Sequence, residues 1–464
     1  MQSPLRIFSP SKKTTNYQVF DKKISNAGLS SRHFRIENGK FTIGVFLQKL
    51  FNKITNEYKV FLSHPRDMRV LLITNMIYAM VLPVTDIFVS AYIMRSANEP
   101  TLVAIYQLCL YTGIPFTFMI NGFLLNKIKI AHLYSFGMLL SGVSMIIMMT
   151  LPTLDVTGVG IAGLIMGTSF GFFWANRDFL ALNTTHDGNR NYYYGLETFF
   201  YTITSIIVPF IIGYFLVVSK NWDWLGKNII RSYQLVTLGV FLLTILSSYV
   251  IHVEEFKNPV QKKFIFFKFD KLWQKMLVLA GLKGIAQGYL VTVPAILIMT
   301  LVGDENSLGA IQAISGIFTA IVLYILGRVT RPSHRVYIFS AGLIIFVIGT
   351  FFNAILFSTI GVIIFMLAKV LFQPLHDIAY FPIQMRVIDI VSRKENRNEF
   401  AYIFNHEFGL YVGRFFGLML FIVLARYVST TFSLKYSLLV IALIQLIAIP
   451  IAKNITHDTD KEKD

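Results

Sequence analysis

From Met68 onward, apolar residues fall into long runs divided by short polar stretches. At ~1.5 Å of rise per residue, about 20 such residues make a helix that crosses the hydrocarbon core. Six runs reach that length in the first half, at 68–94, 101–122, 131–151, 157–182, 192–218 and 231–252. Six more follow at 274–301, 308–327, 336–357, 359–385, 399–426 and 434–452. The pattern predicts an all-α integral membrane protein of about twelve transmembrane helices. It also predicts two halves, 68–252 and 274–452, joined by a polar linker at 253–273 and followed by a tail at 453–464. Upstream, residues 1–40 carry no periodicity and are rich in Lys, Ser, Asn and Arg, which predicts a disordered N-terminus. Over 41–67, Phe46, Leu47, Leu50, Phe51, Ile54, Tyr58 and Phe61 recur at helical spacing, with Lys49, Lys53 and Lys59 between them. That is the pattern of an amphipathic helix lying on a membrane surface.

Composition supports the membrane setting. Of 464 residues, 55% are hydrophobic and 14% charged, and the mean hydropathy is +0.59. A soluble chain this apolar lacks the polar residues to cover itself. The net charge of +17 gathers in the N-terminal segment, the linker and alternate short loops, which points to orientation rather than to nucleic-acid binding. One set of loops holds Lys127, Lys129, Arg190, Arg328, Arg331, Arg335, Arg393, Lys394, Arg397 and the linker lysines. The opposite set holds Arg95, Lys220, Lys227, Arg426 and Lys435. Basic loops face the cytoplasm, so both termini are expected there, in a cell membrane. The linker VEEFKNPVQKKFIFFKFDKLW is expected to rest on anionic headgroups. Cys109 is the one cysteine, so no internal disulfide can form. No zinc-ligand spacing, phosphate-binding glycine loop or catalytic triad spacing is present, so neither an enzyme nor a metal or other cofactor is expected.

Two stretches suggest that the halves are related. Gly163, Gly167 and Gly171 in GLIMGTSFGFFWANRD (163–178) form one bald stripe of a helix, which lets another helix approach closely. Gly409, Gly413 and Gly417 form a second stripe, and the tripeptide NRN occurs at 189–191 and again at 396–398.

With two six-span halves, a basic linker and both termini expected inside, the chain resembles the major facilitator superfamily of secondary transporters from Met68 to Lys453. The family's loop between spans two and three reads G-x-L-x-D-R-x-G-R-R or similar. Here GFLLNKIKI (122–130) keeps Gly122, Leu124 and Lys127, with Asn126 in place of Asp. The counterpart GRVTRPSHR (327–335) keeps Gly327, Arg328 and Arg331. The resemblance implies gating roles for Gly122, Lys127, Gly327, Arg328 and Arg331. The family's antiporter motif in span five survives only as Pro209 and Gly213 in TSIIVPFIIG (204–213), so antiport is not implied. What the resemblance implies is alternating access, in which two bundles rock about a site near the bilayer midplane.

Ionisable residues inside the spans are candidates for that site, because each costs a few kcal/mol unless paired or hydrated. Asp86 follows Pro83 in the outer half of span one and is read as a proton or substrate site, or as a structural hydrogen-bonding group. Arg177 and Asp178 fall near the inner edge of span four, where a gate is expected, with Asp178 paired to Lys127, Lys129 or Arg190. Trp174, one turn deeper, either lines the cavity or packs on a neighbouring glycine stripe. Glu197 and Glu407 occupy corresponding places in spans five and eleven, and a carboxylate there can take up a proton because loss of water disfavours its charge. Arg414 lies seven residues after Glu407 on the same face. Lys283 and Gln287 lie one turn apart in span seven, and Lys369, His376 and Asp377 lie on span ten. Lys369 is expected to pair with Glu407 or Asp377. His132, His252 and His334 read as interfacial histidines. The expectation is a monomeric carrier of a small organic solute coupled to protons. Two alternatives are a carrier of an amphipathic or lipid-linked substrate and a non-transporting receptor on the same fold.

Overall fold

A computed structural model describes residues 55–185, 187–222, 225–258, 265–330 and 332–462. Twelve helices among the described residues are long and apolar enough to cross a membrane, making this a multi-pass membrane protein. In chain order they are α1 Arg66–Ala97, α2 Pro100–Leu124, α3 Ile130–Thr150, α4 Val156–Thr184, α5 Asp187–Ser219 and α6 Ile229–His252. The second half supplies α7 Lys271–Leu301, α8 Glu305–Val329, α9 Arg335–Leu356, α10 Thr359–Glu395, α11 Glu399–Tyr427 and α12 Thr430–Lys461. No strand occurs among the described residues. Residues 62–464 form one compact unit. Of the expected surface helix at 41–67, residues 55–63 are helical and 41–54 lie outside the described residues, as does the segment 1–40.

Helix starts follow local chemistry. The side chains of Asp155, Asn228, Asp270, Asp304 and Ser358 sit at N-caps and accept from backbone N–H groups two or three residues further on. Several helices outrun their apolar stretches, because hydropathy marks the membrane and not the end of the backbone hydrogen bonding. The expected tail at 453–464 is a case: α12 continues to Lys461. There Asp458 pairs with Lys275 at 2.6 Å and Asp460 with Arg386 at 2.9 Å, tying the last helix to α7 and α10.

Both glycine stripes pack as their spacing predicts. The stripe on α4 faces α2, where a Cβ on Gly113 would lie 2.8 Å from the Gly167 backbone. The stripe on α11 faces α7: Gly413 abuts the carbonyl of Gly281, and a Cβ on Gly417 would lie 2.9 Å from that of Ile285. Without a hydrophobic driving force in lipid, such close backbone contact is what holds helices together. A third pair, Gly213 on α5 and Gly309 on α8, crosses between the halves, a Cβ on either meeting the other glycine's Cα at 3.1 Å. The other seam between halves runs along α2 and α11. Phe116 meets Phe408 and Tyr411 edge-on there, and Phe118, Ala175, Ala401 and Phe404 form a buried cluster.

The described parts of the linker hold on to both halves. Asn258 donates to the carbonyls of Leu125 and Ile128 and accepts from the Ile130 N–H. Ile265 and Phe266 pack on the cluster at the α2–α11 seam, and Arg397 lies 4.2 Å over the Phe266 ring.

Candidate functional site

Two ends of the helix array can be told apart by their connections. The linker end carries 253–258 and 265–270; the far end carries the turns at 98–99 and 302–304. Between them lies a cavity of about 560 Å³, lined by α1, α4 and α5 from the first half and by α7, α8 and α10 from the second. Its highest lining residues, Ile87, Ser205 and Gln312, stop about 10–12 Å short of the far-end contacts described below, by helical rise. Trp174 and Phe381 lie about 15–20 Å from the linker-end termini of α4 and α10 by the same measure. The chamber is therefore near the middle of the span.

Local backbone explains how its charged groups arrive there. Pro83 has no N–H to donate and breaks the regular ladder of α1. The chain responds with a π turn over Val84–Phe88, in which the Val81 carbonyl accepts from both Val84 N–H (3.1 Å) and Thr85 N–H (3.2 Å). Asp86 is the third residue of that turn and opens onto the cavity. On α10, Pro374 and Pro382 bracket His376 and Asp377.

Of the ten residues expected to bind solute or protons, seven line this one chamber: Asp86, Trp174, Lys283, Gln287, Lys369, His376 and Asp377. Lys283 Nζ donates to Asp377 Oδ1 at 2.9 Å, and His376 Nδ1 lies 3.0 Å from the same oxygen. The Lys283 ammonium also sits 4.1 Å above the Tyr380 ring and 4.0 Å above that of Phe381. Glu407 and Arg414 do pair, at 2.6 Å, but behind the cavity wall. Arg414 reaches the chamber through Gln287, whose Oε1 accepts from its Nη2 at 2.9 Å and Nε at 3.2 Å. Its guanidinium also lies 4.7 Å over Tyr111 of the opposite half. The expected pairing of Lys369 with Glu407 or Asp377 is not made, because Arg414 and Lys283 already hold those carboxylates.

Glu197 stands apart from the chamber. It is 2% exposed and accepts from Arg177 Nε (3.0 Å) and Nη2, Asn75 Nδ2 (2.7 Å) and the Tyr193 hydroxyl (3.0 Å). Tyr134 donates to the other end of the Asn75 amide. Asp178 Oδ1 accepts from Arg177 Nη1 at 2.7 Å and Lys129 pairs with Glu255, while the side chain of Arg190, another expected partner of Asp178, lies outside the described residues. Adjacent residues on α4 meet because the guanidinium is held over the carboxylates by Glu197. Asn121 and Asn176 exchange amide hydrogen bonds nearby, locking α2 to α4. Gly122 is buried and Lys127 exposed at the end of α2; the side chain of Arg328 and all of Arg331 lie outside the described residues, and Gly327 falls in the last turn of α8.

Sequence reasoning missed the far-end closure. Arg95, in the last turn of α1, donates from Nε (2.8 Å) and Nη2 (2.7 Å) to both oxygens of Glu305 at the start of α8. Tyr233 of α6 adds a third donor at 3.2 Å, and Glu305 is 1% exposed. This bidentate clamp ties the first half to the second, just above the Gly213–Gly309 crossing. In the sequence both residues look like loop charges; Glu305 in particular reads as part of the capping run Asp304–Asn306. The missed lining residues Tyr201, Gln312, Ser315, Thr319 and Gln373 do carry a signal, since each is polar within an apolar run. His132 and His252, separate interfacial residues by sequence, meet with their Nδ1 atoms 3.1 Å apart. No group of three metal-ligating side chains occurs among the described residues.

Hydrogen bonds to a charged group contribute ~1.5–3 kcal/mol. Glu305→Gln should therefore loosen the far end by a factor of about ten or more. In a Cys109→Ser background, a cysteine placed by Gln312→Cys reports this as faster labelling by an impermeant maleimide added at the far end. Unchanged labelling would mean that the clamp does not hold the chamber shut.

No protein-family model matches the chain. It is 21% identical over 378 residues to the uncharacterised protein YqgE of Bacillus subtilis, covering 79% of this chain and 84% of that one. It is 25% identical over 167 residues to an uncharacterised protein of Geobacillus stearothermophilus, covering 35% of this chain and 75% of that protein. Among solved structures it is similar to the nucleoside transporter NupG, at a TM-score of 0.59 and 11% identity over 84% of this chain and 99% of that one. A proton-dependent oligopeptide transporter structure matches at 0.60 and 11% identity, over 85% and 99%. A bacterial homologue of the human lysosomal transporter Spinster matches at 0.57 and 10% identity, over 85% and 96%. At such identities the likeness establishes the fold, which is that of these transporters.

Proposed function

We propose that this chain, which has the fold of the major facilitator superfamily transporters, carries a small organic solute across a cell membrane by alternating access, coupled to protons. The observation that carries this reading is the mid-span chamber between the halves, where Asp86, Lys283, Lys369, His376 and Asp377 converge below a clamped far end. Ionised groups in lipid are stable only if paired or wet, and a chamber built from both halves supplies the water. With both termini in the cytoplasm, the far end is the outer face, and the Arg95–Glu305 clamp is the outer gate.

The second half's cluster supports the reading of proton coupling. Asp377 Oδ1 is shared by Lys283 and His376, with Lys369 on the same helix and the Arg414–Glu407 pair beyond Gln287. Tyr380 stacks on His376 and makes a 2.6 Å hydrogen bond with His406. Protonating His376 turns one carboxylate into the partner of two cations, which loosens its hold on Lys283 and changes the charge facing the solute. No covalent step is required, in keeping with a carrier rather than an enzyme. The gating set Gly122, Lys127, Arg177, Asp178, Gly327, Arg328 and Arg331 belongs to the same proposal, acting at the linker end.

A second reading, an amphipathic substrate entering from the side, draws on α8. Its linker-end half exposes Ile317, Phe318, Ile321, Leu323, Tyr324 and Ile325 around most of its circumference. The charged lining favours a polar solute over it.

Reconstituted vesicles offered a panel of nucleosides, amino acids and dipeptides from outside test the proposal. Uptake of one class should rise several-fold with an imposed pH gradient and fall back with a protonophore. Flux indifferent to the gradient would leave facilitated diffusion. Binding without flux would point to a receptor.

A further inference from the structure

Charged groups around the chamber are almost all spoken for. Lys283 holds Asp377, Arg414 holds Glu407, and Arg177 holds Glu197. Asp86 and Lys369 are the exceptions: both line the chamber, and among the described residues neither makes an ion pair or a side-chain hydrogen bond. They have opposite charge and stand on opposite halves, Asp86 on α1 and Lys369 on α10. Two ionised side chains at mid-span are costly unless paired or hydrated, and a solute in the chamber is what can pair them.

We infer that the solute is a zwitterion, whose ammonium group is taken by Asp86 and whose carboxylate is taken by Lys369. The inference rests on the solute site proposed above and specifies its chemistry. A ligand with both charges neutralises both side chains at once. An anion or a cation alone would leave one of them uncompensated, and a neutral solute would leave both. The rest of the lining fits the same ligand. Gln287, Gln312 and Gln373 add amide groups to the same lining. Trp174, Tyr201 and Phe381 offer flat apolar walls for a side chain, and aromatic faces attract cations. The placement also links binding to movement. A solute that bridges α1 and α10 joins the two halves directly, so the halves are drawn together only when both ends of the ligand are present. The π turn after Pro83 matters here, since it holds Asp86 out from the helix ladder and into the chamber.

The test is binding to the purified full chain, read as a shift in melting temperature or by calorimetry. The probes are alanylalanine, its N-acetyl form, its methyl ester, uridine, and the series glycine, β-alanine, 4-aminobutanoate and 6-aminohexanoate, in which the charges move progressively apart. At least one zwitterion should bind tenfold or more tightly than its acetylated or esterified counterpart, with an optimum in charge spacing. Acetylation should cost at least tenfold in the native protein but little in Asp86→Asn, and esterification should cost little in Lys369→Gln. Comparison of ligands on the native chain keeps the test valid if either variant fails to fold. Equal binding of blocked and zwitterionic forms, preference for uridine, or no binding by any zwitterion overturns the inference. Failure of the broader transporter proposal looks different: zwitterions would bind with the stated preference, yet none would cross a vesicle membrane.

Discussion

Replacing Glu197 with alanine should destabilise the chain by about 3–5 kcal/mol, the usual effect of removing one partner of a buried ion pair. The carboxylate collects donors from Arg177, Asn75 and Tyr193 in a site sealed from the chamber. Without it the Arg177 guanidinium, 17% exposed, keeps only Asp178 as an ionic partner, and the Asn75 amide N–H keeps only the Tyr193 hydroxyl. α1, α3, α4 and α5 meet at this point, because Asn75, Tyr134, Arg177 and Tyr193 come from four different helices. A large fall in melting temperature in detergent is the expected readout, with Glu197→Gln milder because its amide oxygen still accepts. If Glu197→Gln instead folds normally and loses its response to a pH gradient, Glu197 is a proton carrier after all. An alanine variant melting with the native protein would remove the structural role.

Asp377→Asn should cut gradient-driven uptake at least about tenfold, corresponding to the ~1.4 kcal/mol or more that a charged hydrogen bond supplies. The neutral amide offers no charge for two cations to share, so protonation of His376 no longer competes with Lys283 for one carboxylate. Solute exchange across vesicles with no gradient should continue, because Asp86 and Lys369 are untouched. The variant removes the negative charge that faces Lys283, so Lys283→Gln is added to restore folding. The double variant should then exchange solute and still ignore the gradient. Full coupling in either variant would remove this cluster from the proton path.

The architecture was legible in the sequence because lipid imposes a one-dimensional rule. Each span must be long, apolar and self-satisfied in its backbone, and composition alone reports that. The glycine stripes were legible for a related reason: at every fourth position, 163 to 171 and 409 to 417, they mark a helix face without any knowledge of the partner. The chamber was partly legible. Asp86, Lys283, Lys369 and Asp377 are conspicuous as charges within apolar runs, and all four line it.

Partnership was not legible. The sequence left Lys369 beside Glu407 or Asp377, yet Arg414 and Lys283 hold those two carboxylates, and Lys369 is left for the chamber. It set Glu407 above Glu197 only through Arg414 on the same face; that Glu197 is enclosed by donors from neighbouring helices while Glu407 backs onto the cavity could not be read from the chain. Arg95 and Glu305, 210 residues apart and flanked by turns, gave no hint of their contact. Hydrophobic periodicity is a property of each helix by itself, so the chain alone determines the spans and the faces they offer. Which charges meet depends on how twelve such helices are rotated and crossed, and only the folded assembly decides that.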